Sequence, residues 1–108
     1  MTLLKAYAGP FPTEESRTGI WIFPGEIRRS VSWLAETESR LGLLKEKPVV
    51  MIWAKKDPAF AKPKYINRWL RHFPQAELEI LEDASHYLHE DRPDRIIAGI
   101  RKILGRVK

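Results

Sequence analysis

The chain has 108 residues, 44% of them hydrophobic and 31% charged, which is the composition of a globular domain with one modest core. No cysteine is present, so disulfides and thiolate metal sites are excluded, and no run of about 20 apolar residues could cross a bilayer, so we expect a cytoplasmic protein with no membrane partner. The net charge of +5 raises nucleic-acid binding as an alternative, but acidic residues are interleaved with the basic ones along most of the chain.

Residues 1–29 are predicted to contain no long helix or strand. They include three prolines and three glycines, which interrupt regular elements, although residues 1–7 could complete a short helix. The opening residues have no basic start followed by a long apolar stretch, so no signal peptide is expected.

Residues 30–44 have the spacing of an amphipathic helix. Its apolar residues near one face are Trp33, Leu34, Leu41 and Leu44, and Gly42 weakens its end. Core packing is expected for the four tryptophans, Trp21, Trp33, Trp53 and Trp69.

Two short strands are predicted in the second half. The continuous apolar run at 48–53, PVVMIW, is typical of a strand buried on both faces of a parallel sheet. The run at 76–82, AELEILE, alternates instead, with Leu78 and Ile80 on one face and two glutamates on the other. This pattern predicts a strand with one wet face.

A helix is predicted after each strand. The first runs from Pro63 to Phe73, and the second follows Asp91, a candidate N-cap, with Pro93 in its first turn. The apolar stripe of the second helix comprises Ile96, Ile97, Ile100, Ile103, Leu104 and Val107. The stripe of the first comprises Tyr65, Ile66, Trp69, Leu70 and Phe73. Because these aromatic rings are expected to be buried, they cannot stack on bases, and we expect no nucleic-acid partner.

The order strand–helix–strand–helix predicts an α/β unit whose two strands are parallel. In such sheets functional groups gather in loops past the carboxyl ends of the strands, and Asp57 and His86 occupy these places. A carboxylate beside an imidazole can orient the ring as a general base. Plainer roles are also open, because Asp57 precedes Pro58 and could shape a turn, and His86 could be a solvated loop residue.

Three stretches carry a resemblance to a known family: YAGPFPTEESRTGIWIFP, KPVVMIWAKKDPAF and WLRHFPQAELEILEDASHYLHEDRPDRI. Together with the closing helix they resemble the C-terminal part of an α/β-hydrolase, in the subgroup of haloalkane dehalogenases and epoxide hydrolases. The resemblance implies a partial α/β-hydrolase fold, with residues 1–29 a remnant of the cap domain and residues 30–108 the last two strands and their helices. It also implies that Asp57 is the triad acid and His86 the base that activates water against a covalent intermediate, without a cofactor.

The nucleophile of such a triad is missing from the chain. It sits in a G-x-S-x-G elbow or a related form with aspartate, and no two of the six glycines are four residues apart. The chain is therefore not expected to hydrolyse substrates alone. Ser85 and Ala54 also stand where the family commonly has glycine, which leaves open that either loop is displaced and that Asp57 and His86 are held apart.

Two kinds of partner remain open. The first predicted strand would have one unpaired edge, which could bind a separate N-terminal hydrolase fragment or a second copy of the chain. In the first case the completed enzyme would act on a small apolar halide, epoxide or ester. In the second the chain is a non-catalytic oligomerisation module, and a remnant of a truncated hydrolase gene is a further alternative.

No metal site is expected. His86 and His89 lie three residues apart with Asp83 and Glu90 nearby, but no third convergent ligand is evident. His89 is interpreted as an ordinary polar residue, and His72 as a residue whose charged form favours the end of a helix.

Overall fold

A computed structural model describes residues 2–106, which form two compact units. The first unit extends to Arg40 and the second begins at Leu41. The predicted boundary after residue 29 falls inside the first unit, between two of its helices. The assignment of residues 1–29 as a cap remnant and of 30–108 as a hydrolase unit stays a prediction.

The first unit is helical. Its elements are α1 (Leu3–Ala8), a 3₁₀ turn (Glu15–Arg17), α2 (Thr18–Arg29) and α3 (Val31–Ser39). The expectation that no long element forms before residue 30 is wrong, because α2 runs for 12 residues with Pro24 inside it. An interior proline removes one i→i−4 hydrogen bond and crowds the preceding turn, but α2 continues through Pro24 to Arg29.

The predicted helix over residues 30–44 is divided. Helix α3 ends at Ser39 and a separate 3₁₀ turn spans Leu41–Leu44. In its last turn the hydroxyls of Thr37 and Ser39 donate to the carbonyls of Trp33 and Glu36, so side chains compete for backbone acceptors where the helix ends.

The tryptophans of the first unit do not pack in a core. Trp21 is 87% exposed and Trp33 63%, contrary to prediction, and the three described helices of this unit bury no residue. A unit of about 40 residues has too much surface for its volume to enclose rings of this size.

The second unit is the predicted parallel α/β unit. Its elements are β1 (Val50–Ala54), α4 (Pro63–His72), β2 (Glu77–Leu81), α5 (Leu88–Asp91) and α6 (Pro93–Leu104), with a 3₁₀ turn at Leu41–Leu44 before them. The strands pair in parallel, from Val50 opposite Glu77 to Ala54 opposite Leu81. The core is small, with Ala54, Leu81 and Ala84 at its centre and Ile52 and Leu88 packed against them.

Helix α4 buries only part of its predicted stripe. Ile66 and Phe73 are buried, but Trp69 is 43% exposed. Trp53 is half-buried and its indole N–H donates to the carbonyl of Phe60 across 2.9 Å. Because of its exposure, Trp69 does not occupy the core position predicted for it. Its ring stacks beside the ring of Phe73.

The two faces of β2 do not divide into one wet and one buried face as predicted. Leu78 and Ile80 are 37% and 45% exposed, and the side chains of Glu77 and Glu79 are 40% and 34% exposed and pair with basic residues of the C-terminal segment. Glu77 is paired with Lys102 and Arg106, and Glu79 with Arg95. The reason is that α6 packs against the neighbouring strand β1, from where Arg95 and Lys102, together with Arg106 beyond the helix, reach the glutamates.

Helix α6 leaves a groove open against β1. At Gly99 an added Cβ would meet the Ile52 Cδ1 atom at 2.9 Å, so the helix comes close to the strand at this residue. The groove of about 270 Å³ is lined by Val50, Ile52, Ile96, Gly99, Ile100, Ile103 and Leu104. We call it the β1–α6 groove. Val107, the last residue of the predicted stripe, lies outside the described residues.

Within residues 2–106 no helix combines the length and apolarity needed to span a bilayer.

Candidate active site

The loops that follow β1 and β2 lie side by side. The Lys55 N–H donates to the Leu81 carbonyl at 2.9 Å, and the Lys56 N–H donates to the Ala84 carbonyl at 3.1 Å. Parallel pairing thus continues for a few residues beyond the strands. It brings the segments that carry Asp57 and His86 to the same edge of the sheet, as the sequence predicts.

Asp57 is the buried acidic residue of this edge, at 7% exposure. One carboxylate oxygen, Oδ1, accepts hydrogen bonds from the N–H groups of Ala59 at 2.7 Å and Phe60 at 3.0 Å. Asp57 therefore shapes the turn through Pro58, which was one of its two predicted roles.

The second oxygen of Asp57 lies 3.0 Å from Nδ1 of His86. Within residues 2–106, the imidazole has no other hydrogen-bond partner, and the side chain of His86 is 45% exposed. The ring is held between two aromatic side chains. Phe60 stacks on it with centroids 5.8 Å apart and planes inclined by 18°, and Tyr87 meets it edge-on at 5.3 Å. The predicted acid and base are in contact.

Burial raises the pKa of Asp57, but hydrogen bonds outweigh that effect. The N–H groups of Phe60 and Ala59 and the imidazole of His86 all stabilise the carboxylate, and together they hold its pKa below the ordinary aspartate value. The acid is therefore an anion at neutral pH, and it accepts a hydrogen bond from the Nδ1–H of His86 rather than donating one.

Ser85 and Ala54, which stand where the family commonly has glycine, do not strain the backbone. No described residue has a positive φ, so neither adopts the conformation that favours glycine. The 3.0 Å contact shows that these loops do not hold Asp57 and His86 apart.

An open apolar depression lies beside the pair. It has a volume of about 220 Å³ and is lined by Ile52, Trp53, Ala54, Asp57, Phe60, His86 and Leu88. Apart from the two polar residues, its walls are hydrocarbon, which suits a weakly polar substrate or a covering apolar segment.

The remaining histidines lie outside this arrangement. His89 is in α5 and meets the ring of Tyr87 edge-on, and His72 ends α4 beside Phe73. In the described part of the chain, no three histidine, aspartate or glutamate side chains converge to hold a metal ion.

Two residues of the site were not identified from the sequence. Phe60 was not singled out, although its position three residues after Asp57 places it in the turn that the carboxylate organises. Asp91 was predicted to cap the last helix, and that prediction is wrong. The short helix α5 intervenes, Arg92 occupies the cap position, and Asp91 instead accepts a hydrogen bond from the Ser85 N–H at 2.7 Å.

Comparison with known proteins agrees with this architecture. Haloalkane dehalogenase 2 of Mycobacterium bovis is 34% identical over 104 residues, which is 95% of this chain and 36% of that protein. Haloalkane dehalogenase 2 of Mycobacterium tuberculosis matches equally well. Cis-3-alkyl-4-alkyloxetan-2-one decarboxylase of Xanthomonas campestris is 28% identical over 107 residues, covering 94% of this chain and 35% of that protein.

The chain thus spans about a third of the length of the curated relatives it matches. No family model and no solved structure matches it. The matches and the parallel strand–helix unit together confirm the predicted family. The chain is an α/β-hydrolase sequence and corresponds to the C-terminal part of that fold.

Proposed function

We propose that Asp57 and His86 are the acid and base of a hydrolase triad whose nucleophile lies outside these 108 residues. The observation that carries the proposal is the 3.0 Å contact between Nδ1 of His86 and Oδ2 of Asp57, at the carboxyl ends of neighbouring parallel strands. Its other support is the Asp57 carboxylate, which two backbone N–H groups hold in place as an anion.

The chemistry follows from the orientation of the imidazole. When the Nδ1–H of His86 donates a hydrogen bond to Asp57, the lone pair of the imidazole lies on Nε2, the ring nitrogen that does not contact the carboxylate. Nε2 takes a proton from water, and the oxygen of that water attacks the ester carbonyl carbon of a covalent intermediate. The ester C–O bond then breaks, and the imidazolium returns its proton to the departing oxygen. The Asp57 anion stabilises the imidazolium that forms. Such general-base catalysis is worth about 10²- to 10⁴-fold in rate.

The proposed substrate is a small apolar halide, epoxide or ester. The depression beside His86 has apolar walls from Ile52, Phe60 and Leu88, which favour hydrocarbon over charged groups. The name of the relative that is 34% identical refers to haloalkanes, so a short haloalkane is the first substrate to test.

The nucleophile is proposed to arrive on a strand that pairs with β1. Within the described residues β1 pairs on one side only, and its other edge adjoins the β1–α6 groove. An open strand edge beside an apolar groove is suited to a further strand and helix of the same sheet. In the relatives, nearly two thirds of the length lies outside the part that matches this chain, which is enough sequence to form such a strand and helix.

A second candidate is a non-catalytic oligomerisation module, in which another copy of this chain covers the same edge. The observation that favours it is the amount of exposed apolar surface, with Ile100 and Leu104 at 54% and 67% exposure in the groove wall.

The test begins with the native assembly that contains this chain, whose mass is measured and whose halide release from a short haloalkane is assayed. In that assembly, His86→Gln is expected to lower kcat at least about 100-fold, because the base is removed. His89→Gln, three residues further along, is the matched control and should keep the wild-type rate. A variant H86Q that retains its activity would rule out the proposed role. An assembly of identical copies without hydrolysis would support the second candidate instead.

A further inference from the structure

The loop that presents His86 is closed by a hydrogen bond between residues 85 and 91. The Ser85 N–H donates to Oδ2 of Asp91 across 2.7 Å, so the backbone directly before His86 is tied to a side chain six residues later. We propose that Asp91 is a positioning residue for His86, which acts through the backbone of this loop and does not touch the reacting atoms. The proposal rests on the proposed function of His86.

Asp91 belongs to helix α5, whose backbone hydrogen bonds connect it to the end of the loop that contains His86. Helix α5 makes a single turn, in which the N–H groups of Glu90 and Asp91 donate to the Tyr87 carbonyl at 2.8 and 3.1 Å. His86 therefore lies inside a short ring that is closed at one end by the α5 turn and at the other by the Ser85–Asp91 bond. Hydrogen bonds to a charged acceptor are about twice as strong as neutral ones.

The two residues before Ser85 are also held by hydrogen bonds. Ser85 is therefore the last residue before His86 whose backbone is held in this way. The Arg92 guanidinium donates to both carboxylate oxygens of Asp83 at 3.1 and 3.2 Å, and the carbonyl of Ala84 accepts from Lys56. Without Asp91, Ser85 keeps only the long 3.5 Å hydrogen bond from its hydroxyl to the Lys56 carbonyl, and His86 keeps its contact with Asp57. The backbone between Ala84 and α5 therefore loses its shortest hydrogen bond, and His86 lies in that interval.

The expected consequence is a loss of rate with little loss of binding. In the active native assembly, Asp91→Ala should lower kcat about ten- to a hundredfold, because a displacement of about 1 Å at a catalytic group costs up to that much. KM should change less than about twofold, because Asp91 does not line the depression. Asp91→Asn keeps an acceptor oxygen for the Ser85 N–H and should restore most of the rate.

Glu90→Ala is the matched control. Glu90 is the exposed neighbour of Asp91 in the same helical turn, and the bond to the Ser85 N–H comes from Asp91 and not from Glu90. Truncating it removes a charge of the same sign without releasing Ser85, so kcat should stay at the wild-type value.

A readout that does not depend on turnover is the NMR signal of the proton on Nδ1 of His86 in the full chain. In wild type, D91N and E90A this proton should be protected from exchange by Asp57, and in D91A its signal should broaden or vanish. If D91A fails to fold, Asp91→Ser, whose hydroxyl is too short to reach the Ser85 N–H, takes its place.

The outcomes separate the two proposals. If H86Q stays active, the proposed function fails and the role of Asp91 fails with it. If H86Q is inactive while D91A keeps both the wild-type kcat and the Nδ1 proton signal, the role of Asp91 alone is overturned. A D91A chain that is less stable, but whose folded fraction turns over at the wild-type rate, also overturns it.

Discussion

At the scale of single residues, the two oxygens of Asp57 serve different ends. Oδ1 organises the turn through two backbone N–H groups, and Oδ2 orients the imidazole of His86. One carboxylate therefore shapes the turn and also makes the contact with His86 on which the proposed catalytic role rests. An acid that is fixed by its own turn needs no further side chain to hold it, and it keeps its charge although it is nearly buried.

The first prediction concerns the pH dependence of stability. The pKa of Asp57 is lower in the folded chain than in the unfolded one, so the unfolded state binds the proton first as the pH falls. The stabilisation by the Asp57 anion is therefore complete at neutral pH, begins to fall near the ordinary pKa of about 3.9, and disappears as the pH drops through the lower folded value. Asp57→Asn should be less stable than wild type at pH 7, and the gap should narrow at about pH 3.

Urea unfolding at the two pH values measures this gap. Glu90→Gln removes an exposed carboxylate and should show a small difference from wild type at both. A gap between wild type and D57N that widens on acidification would contradict the lowered pKa of Asp57.

At the scale of elements, α6 is attached to the sheet by charge as well as by apolar packing. Its Arg95 Nε donates to Oε1 of Glu79 across 2.6 Å, and Lys102 pairs with Glu77. Hydrogen bonds from Lys102 and then from Arg106, which lies just beyond α6, hold the pKa of Glu77 below its usual range. The alternation of β2 thus marks a face whose glutamates are engaged in ion pairs and remain partly exposed.

The second prediction follows from this arrangement. Glu79→Gln should lower the free energy of unfolding by about 0.5–1 kcal/mol at low salt, the upper range for an incompletely buried pair, and the loss should shrink in 1 M NaCl because the ion pair is screened. Glu82→Gln breaks the more exposed pair with Lys55 and should cost less than about 0.5 kcal/mol. Urea unfolding at both salt concentrations gives the comparison. Equal costs for the two variants would show that α6 is not held by this pair.

At the scale of the whole molecule, the α/β unit has two strands and a small core, and much of its apolar surface is open. Ile97 and Ile100 of α6 are similarly exposed, at 48% and 54%, but only Ile100 lines the β1–α6 groove. This difference provides a test of which surface is covered in the native assembly.

The third prediction is that Ile100→Lys releases the chain from its assembly and Ile97→Lys does not. A lysine at residue 100 would place a charge in the covered groove, where it lacks a partner, and the cost of its desolvation opposes association. Sedimentation of the two variants, with circular dichroism to confirm that both are folded, makes the measurement. Dissociation by both variants alike, or by neither, would exclude the groove as the interface.

The sequence by itself predicted the parallel strand–helix–strand–helix unit and both residues of the candidate pair. A continuous apolar run, an alternating run and two proline-started helices are local patterns, and the ends of parallel strands lie at one edge in any such sheet. Asp57 and His86 could therefore be selected without knowing the side-chain geometry. The α/β-hydrolase family was likewise recognisable from residue order alone.

Only the tertiary structure decided how the remaining side chains are used. Glu77 and Glu79 were predicted to face water because their spacing says which residues share a face, but not which cations lie near that face. Asp91 was predicted to be a helix cap because a carboxylate before a proline-started helix usually is one, whereas the α5 turn directs it to Ser85. The partners of the glutamates are distant in sequence, and periodicity carries no information about distant partners. The partner of Asp91 is only six residues away, but it precedes a helical turn that the capping pattern does not predict.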